Sequence, residues 1–251
     1  MTYPRSLWRP AAHPTTIIGS MMRAPLPHVA IGDVCRLQAA SHDDTPAGSG
    51  TVVAVEHGLA SIGLLRDSTG LSSQCLVLPT GHGPLVAISE GVLGSVIDGQ
   101  GNEVERLAPA IVSHTEMRRT DGRGVEYHQR RAIESPLCTG IRAVDGLLTC
   151  GEGQRVGIFA GAGAGKTTLA EMLLDNADVD VSVIALVGER GREVASLVER
   201  FRHSERAGRT VIVQATSDTA PALRSQARLI ATTIAEYFRD QGRRVLLVMD
   251  S

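Results

Sequence analysis

Residues 155–174 read RVGIFAGAGAGKTTLAEMLL, and three textures follow one another within this stretch. Residues 155–160 form an apolar run of strand character. Residues 160–168 (AGAGAGKTT) are a glycine-rich turn, and 166–174 place Leu169, Met172 and Leu173 on one face at helical spacing. A strand that feeds such a turn into a helix is the context of a phosphate-binding loop. Gly161, Gly163 and Gly165 let the backbone take up positive φ and bring its N–H groups close to phosphate oxygens, with Ala162 and Ala164 between them. The N-terminus of the following helix adds about half a unit of positive charge. In this reading the cradle runs from Gly161 through Lys166, Thr167 and Thr168; Lys166 reaches the β- and γ-phosphates and the Thr167 hydroxyl ligates Mg²⁺. Ala160 stands where the pattern G-x-x-x-x-G-K-[ST] has its first glycine, which is acceptable where the backbone needs no positive φ. Of 25 basic residues, 24 are Arg; the single Lys is Lys166. The loop reads as a nucleoside-triphosphate site.

Beyond it, strand and helix patterns alternate. Residues 182–187 are a strand, and 192–205 a helix with Val194, Leu197, Val198 and Phe201 at i, i+3, i+4, i+7. A third strand covers 210–215. The next helix starts near Pro221, carries a stripe of Leu223, Ala227, Ile230, Ile234 and Phe238, and ends before Gly242. A fourth strand covers 245–249. Such alternation predicts a parallel sheet with helices on both faces, whose ligands bind at the carboxyl ends of the strands. The second strand runs into GERGRE (188–193), so Glu189 faces the phosphates, where a carboxylate can orient the attacking water as general base. Arg190 either meets the γ-phosphate or pairs with a neighbouring acid. Four apolar residues followed by Asp250 form a Walker B pattern, in which Asp holds Mg²⁺ through water.

Residues ~14–90 have a different texture, with short β-like runs at 15–22, 33–38, 50–56 and 61–65 and a polar loop at 42–50. They predict a small barrel or sandwich. Residues 113–131 are polar and basic and read as a connector, so the expected division is a tail over 1–14, a β-barrel over 15–90, a connector over 91–135 and the nucleotide domain over 136–251. The connector's Arg118, Arg119, Arg123, Arg130 and Arg131 read as a solvated linker, with contact to anionic lipid or a partner as the alternative. The chain has 251 residues, 43% hydrophobic but only 3% aromatic, 21% charged, and a net charge of −2. This is a globular composition with an aliphatic core. No apolar run has the length of a membrane span, and no secretory signal is visible at the N-terminus. Cys35, Cys75, Cys138 and Cys150 lack C-x-x-C spacing and read as reduced thiols of a cytoplasmic protein. The eight histidines lack metal-ligand spacing.

The runs at 139–169, 185–194 and 231–251, and more loosely 92–102, resemble the type III secretion ATPases, relatives of the flagellar export ATPase and of rotary ATP synthase catalytic subunits. The resemblance implies a RecA-like nucleotide domain behind a small β-barrel, using ATP and Mg²⁺, with Lys166, Glu189 and Arg190 catalytic and Thr167 and Asp250 at the metal. It implies a homohexamer at the cytoplasmic face of the inner membrane, working with stalk and stator proteins, export chaperones and their substrates, and a peripheral membrane association. ATP hydrolysis would release chaperones and unfold export substrates. Family members continue well beyond Asp250, with further strands of the nucleotide domain (one between the P-loop and Walker B strands), an arginine supplied by a neighbouring subunit and a helical domain. This chain by itself is therefore expected to be weakly active or inactive. Competing readings are a proton-translocating ATP synthase subunit, an inactive nucleotide-binding fragment, and a hexameric RNA translocase. The last is disfavoured because the barrel region lacks the basic, aromatic surface that single strands need; no nucleic-acid partner is expected.

Overall fold

The computed structural model describes residues 11–39, 46–65, 68–120, 124, 126–130, 132–161 and 163–250. The chain begins with six short strands: β1 (Thr16–Ile18), β2 (Met21–Pro25), β3 (Val34–Gln38), β4 (Pro46–Glu56), β5 (Leu59–Leu64) and β6 (Leu76–Pro79). They form one antiparallel sheet in the order β1-β2-β5-β4-β3-β6. Just before β1, Ala12 exchanges two backbone hydrogen bonds with Val77 of β6, which brings the sheet round on itself as the expected barrel. Its interior is Met22, Ala24, Cys35, Leu37, Val52, Ile62, Leu64 and Val77, all inward positions of alternating strands. The run at 15–22 is a hairpin rather than one strand, because Gly19 takes φ +54° and turns the chain between β1 and β2.

Four strands follow before the glycine-rich loop: β7 (Leu85–Ile88), β8 (Ser95–Ile97), β9 (Glu103–Arg106) and β10 (Glu116–Arg119). Part of the expected connector is thus sheet. β8 lies parallel to the third strand of the nucleotide domain, β9 continues that sheet antiparallel, and β10 pairs with β7. Nor is Arg118 a solvated linker residue. It forms ion pairs with Asp240 (2.7 Å) and Glu116 (3.0 Å) and stacks 5.1 Å from the centre of the Tyr237 ring. Arg123 and Arg131 lie outside the described residues.

The remaining elements are α1 (Arg142–Leu147), α2 (Lys166–Asn176), β11 (Val181–Val187), α3 (Gly191–Arg202), β12 (Thr210–Ala215), α4 (Pro221–Asp240) and β13 (Val245–Asp250). The sheet order is β13-β11-β12-β8-β9, with β13, β11, β12 and β8 parallel. β11 lies between β13 and β12 and is buried at all seven residues, as its continuous apolar run requires. Val181, Val183, Ala185 and Val187 face α4, where Ala227, Ile230, Ala231, Ile234 and Phe238 pack. Ile184 and Leu186 face the opposite side, against Leu174 of α2 and Val194, Val198 and Phe201 of α3.

The segment 155–160 departs from expectation. It makes no strand; Phe159 is 96% exposed and Val156 is exposed as well. A strand needs a neighbour for its N–H and C=O groups. β13 pairs with β11 on one side, and among the described residues no strand lies on its other side or beside 155–160. For the same reason α2 buries Leu174 against the sheet while Met172, expected on its inner face, is 41% exposed.

Candidate functional site

Three strand and helix ends meet at the carboxyl edge of the parallel strands. The glycine-rich loop enters α2 with Gly163 at φ +77° and Gly165 at φ +92°; Gly161 does not share this conformation. These two positions need glycine because an L side chain there would be strained. No other atom lies within 4 Å of where a Cβ would sit on Gly161, Gly163 or Gly165, so the cradle is open. Ala164 N–H donates to Gly161 C=O (3.2 Å) and Leu169 N–H to Gly165 C=O (2.9 Å), which fixes the loop to the first turn of α2. Thr167 and Thr168 are exposed on that turn, and Ala162 lies outside the described residues.

From the start of α2, the Lys166 Nζ donates to Asp250 Oδ1 at 2.6 Å. Asp250 closes β13 in register with Leu186 of the adjacent β11, which places it beside the turn that carries Glu189. Gly188, at φ +80°, makes that turn; its N–H donates to Ala215 C=O (2.7 Å), and Ser217 N–H donates to Glu189 C=O (3.0 Å). The ends of β11 and β12 are thereby tied together. Burial pushes the Glu189 carboxyl above the usual carboxylate range. A hydrogen bond with Glu193 and the negative charges of Asp250 and Glu193 push the same way, and Lys166 opposes them. The hydrogen bond and charge of Asp250 raise Lys166 in turn, helped by Glu189 and Glu193 and opposed by burial. A carboxyl raised toward neutrality is a stronger base than an ordinary one, the property a water-activating residue needs.

Lys166, Glu189 and Asp250, expected from the sequence, thus stand in one electrostatic cluster. Arg190 does not join it: the residue caps α3, its C=O accepts from Glu193 N–H (2.8 Å), and its side chain is exposed. Glu193 is the member that sequence reasoning missed. The signal was present, since it follows Glu189 by four residues at a helix start and so returns to the same side. Among the described residues no three His, Cys, Asp or Glu side chains form a metal cage. A hydroxyl at Thr167 and carboxylates at Asp250 and its neighbours are hard oxygen donors. They suit Mg²⁺, which is held by one or two carboxylates together with substrate phosphates rather than by an all-protein cage.

A glycine-rich turn at a helix start, Asp250 at the end of β13 and Glu189 just past the end of β11 are the arrangement of a P-loop ATPase fold. Residues 140–251 match the ATP synthase alpha/beta family, nucleotide-binding domain. Within that class the chain is similar to type III secretion system ATPases. It is 43% identical over 240 residues to the SPI-1 type 3 secretion system ATPase of Salmonella typhi, covering 96% of this chain and 56% of that protein. It is 42% identical to the type 3 secretion system ATPase of Sinorhizobium fredii (94% and 52% covered) and 38% identical to the flagellum-specific ATP synthase of Treponema pallidum (95% and 53%). The assembled ATPase EscN of the enteropathogenic E. coli type III secretion system superposes with a TM-score of 0.80 at 35% identity, over 96% of this chain and 56% of EscN. The chain spans about half the length of these relatives.

Proposed function

We propose that the chain binds Mg·ATP at the glycine-rich loop and belongs to an ATPase that powers protein export through a type III secretion system. The observation that carries this reading is the meeting of Lys166, Asp250 and Glu189, from three separate elements, beside an open glycine cradle. Gly161 to Gly165 and the N-terminus of α2 bind phosphate through backbone N–H groups, and Lys166 neutralises the β- and γ-phosphates. Thr167 and Asp250 hold Mg²⁺, which when bound neutralises charge on the phosphates. Glu189 accepts a proton from the water that attacks the γ-phosphorus as the bond to the β–γ bridging oxygen breaks and ADP leaves, and Arg190 swings from its exposed position toward the γ-phosphate. A barrel domain over 15–90 precedes a nucleotide domain over 136–251, the latter recruiting β8 and β9 from the segment between them.

A structure of EscN in complex with its central stalk EscO matches the chain with a TM-score of 0.80. It supports the inference of an oligomer around a stalk protein; six copies, chaperones and export substrates as further partners, and a place at the cytoplasmic face of the inner membrane are our extension of that reading. Among the described residues no helix is long and apolar enough to cross a membrane. Titration of the purified chain with Mg·ATP tests the reading. Saturable binding that disappears in Lys166→Ala is expected, while Glu189→Gln keeps binding. No binding by the wild-type chain would sink the proposal.

A further inference from the structure

At the site, three acidic side chains (Glu189, Glu193 and Asp250) stand against one ammonium, that of Lys166. The lysine is already engaged. Its Nζ donates to Asp250 Oδ1 at 2.6 Å rather than standing free beside the empty space over Gly161, Gly163 and Gly165. The pair bridges α2 and β13, 84 residues apart, and both side chains keep solvent contact, 39% and 23% exposed, so it can be exchanged without opening the core.

We propose that the Lys166–Asp250 ion pair is a latch that makes metal and nucleotide enter this site together. The proposal rests on the nucleotide reading of the loop. A metal-free nucleotide that draws Lys166 onto its phosphates leaves Asp250, Glu189 and Glu193 uncompensated beside a polyanion. Like charges at such range, partly withdrawn from water, repel strongly. A nucleotide that arrives with a divalent cation meets a balanced exchange: Asp250 gives up the ammonium and receives the cation, and Lys166 gives up Asp250 and receives phosphate. The latch therefore holds back metal-free nucleotide and leaves the metal complex little affected.

Equilibrium titration with ADP, in EDTA and in excess Mg²⁺, separates the outcomes. Asp250→Asn frees Lys166, so metal-free ADP should bind about fivefold more tightly than to wild type, the factor that corresponds to a partly exposed ion pair. The same substitution should weaken binding in Mg²⁺. Wild-type protein that binds Mg·ADP, with Asp250→Asn binding metal-free ADP no better than wild type, would overturn the latch and leave the nucleotide reading intact. If Asp250→Asn does not fold, the wild type is read alone: ADP binding as tight in EDTA as in excess Mg²⁺ overturns the proposal. If the wild-type chain binds no ADP in either condition, the nucleotide reading fails instead. The ion pair is then judged separately by [¹⁵N]lysine labelling, which marks Lys166 alone because the chain has one lysine. Asp250→Asn should move that single amide resonance in the empty protein, and an unmoved resonance rejects the latch.

Discussion

Replacing Lys166 by Met separates its observed contact with Asp250 from the phosphate contact proposed for it. The substitution keeps most of the aliphatic stem and removes the ammonium, which donates to Asp250 at 2.6 Å. The two side chains remain 39% and 23% exposed, so the pair contributes at most about 1 kcal/mol to stability after solvent screening. In a chain of 251 residues that corresponds to a fall in melting temperature of about 2–4 °C. Nucleotide binding should suffer far more. A hydrogen bond between charged groups is worth about 1.5–3 kcal/mol, so loss of the phosphate contact should weaken Mg·ADP binding about ten- to 150-fold. Lys166 also holds the Glu189 carboxyl down, so its removal lets Glu189 titrate higher still. Titration with a fluorescent ADP analogue, alongside a thermal melt, measures both effects. An affinity loss below about threefold, in a variant that melts within the stated window, would refute the assignment of Lys166 to phosphate.

Phe238 is fully buried between α4 and the sheet, so Phe238→Ala should cost about 3–5 kcal/mol in urea unfolding; a loss near 1 kcal/mol would show that this face is loosely packed. The carboxylate of Asp145 accepts from the Thr139 hydroxyl and N–H (2.6 and 2.8 Å) and the Gly140 N–H (3.0 Å), which holds its pKa below the ordinary 3.8. Its contribution is present above about pH 4 and fades as the pH falls through the depressed native value. Asp145→Asn should therefore be less stable than wild type at pH 7, and the two should converge in strong acid when melting is followed against pH. Burial pushes the Cys35 thiol up to about 12 and raises Cys75 too, while Cys138 is exposed. Thiol titration of the folded protein should label Cys138 and spare Cys35 and Cys75 until denaturant is added.

Much of the site was legible because its signals are local. The glycine spacing ahead of Lys166 imposes its own backbone, and Gly163 and Gly165 do take positive φ. Glu189 and Asp250 were readable as the residues where apolar runs stop, since ligands gather at the carboxyl ends of parallel strands. Glu193 was missed although the expected helix over 192–205 already contained it: α3 begins at Gly191, and only the packing shows that its first turn carries Glu193 back toward Glu189. The 155–160 run was misread because apolar residues with strand character announce a tendency to pair but not the presence of a partner. β8 and β9 were misread for the opposite reason: three- and four-residue strands carry too little pattern to stand out, and only their place beside β12 defines them.

By itself, the sequence determined the order of elements after residue 160, the glycine-rich turn into α2, and the positions of Lys166, Glu189 and Asp250 at helix and strand ends. Those features follow from periodicity and from short-range backbone constraints. Tertiary structure alone decided that β11 lies between β13 and β12, that β8 from the first half of the chain joins their sheet, and that Ala12 closes the barrel on Val77. It also decided that Lys166 rests on Asp250, 84 residues away. Strand neighbours and ion-pair partners are chosen by long-range competition among many compatible surfaces. The hydrophobic pattern of a strand says which face is buried, but it carries no record of which edge will meet it.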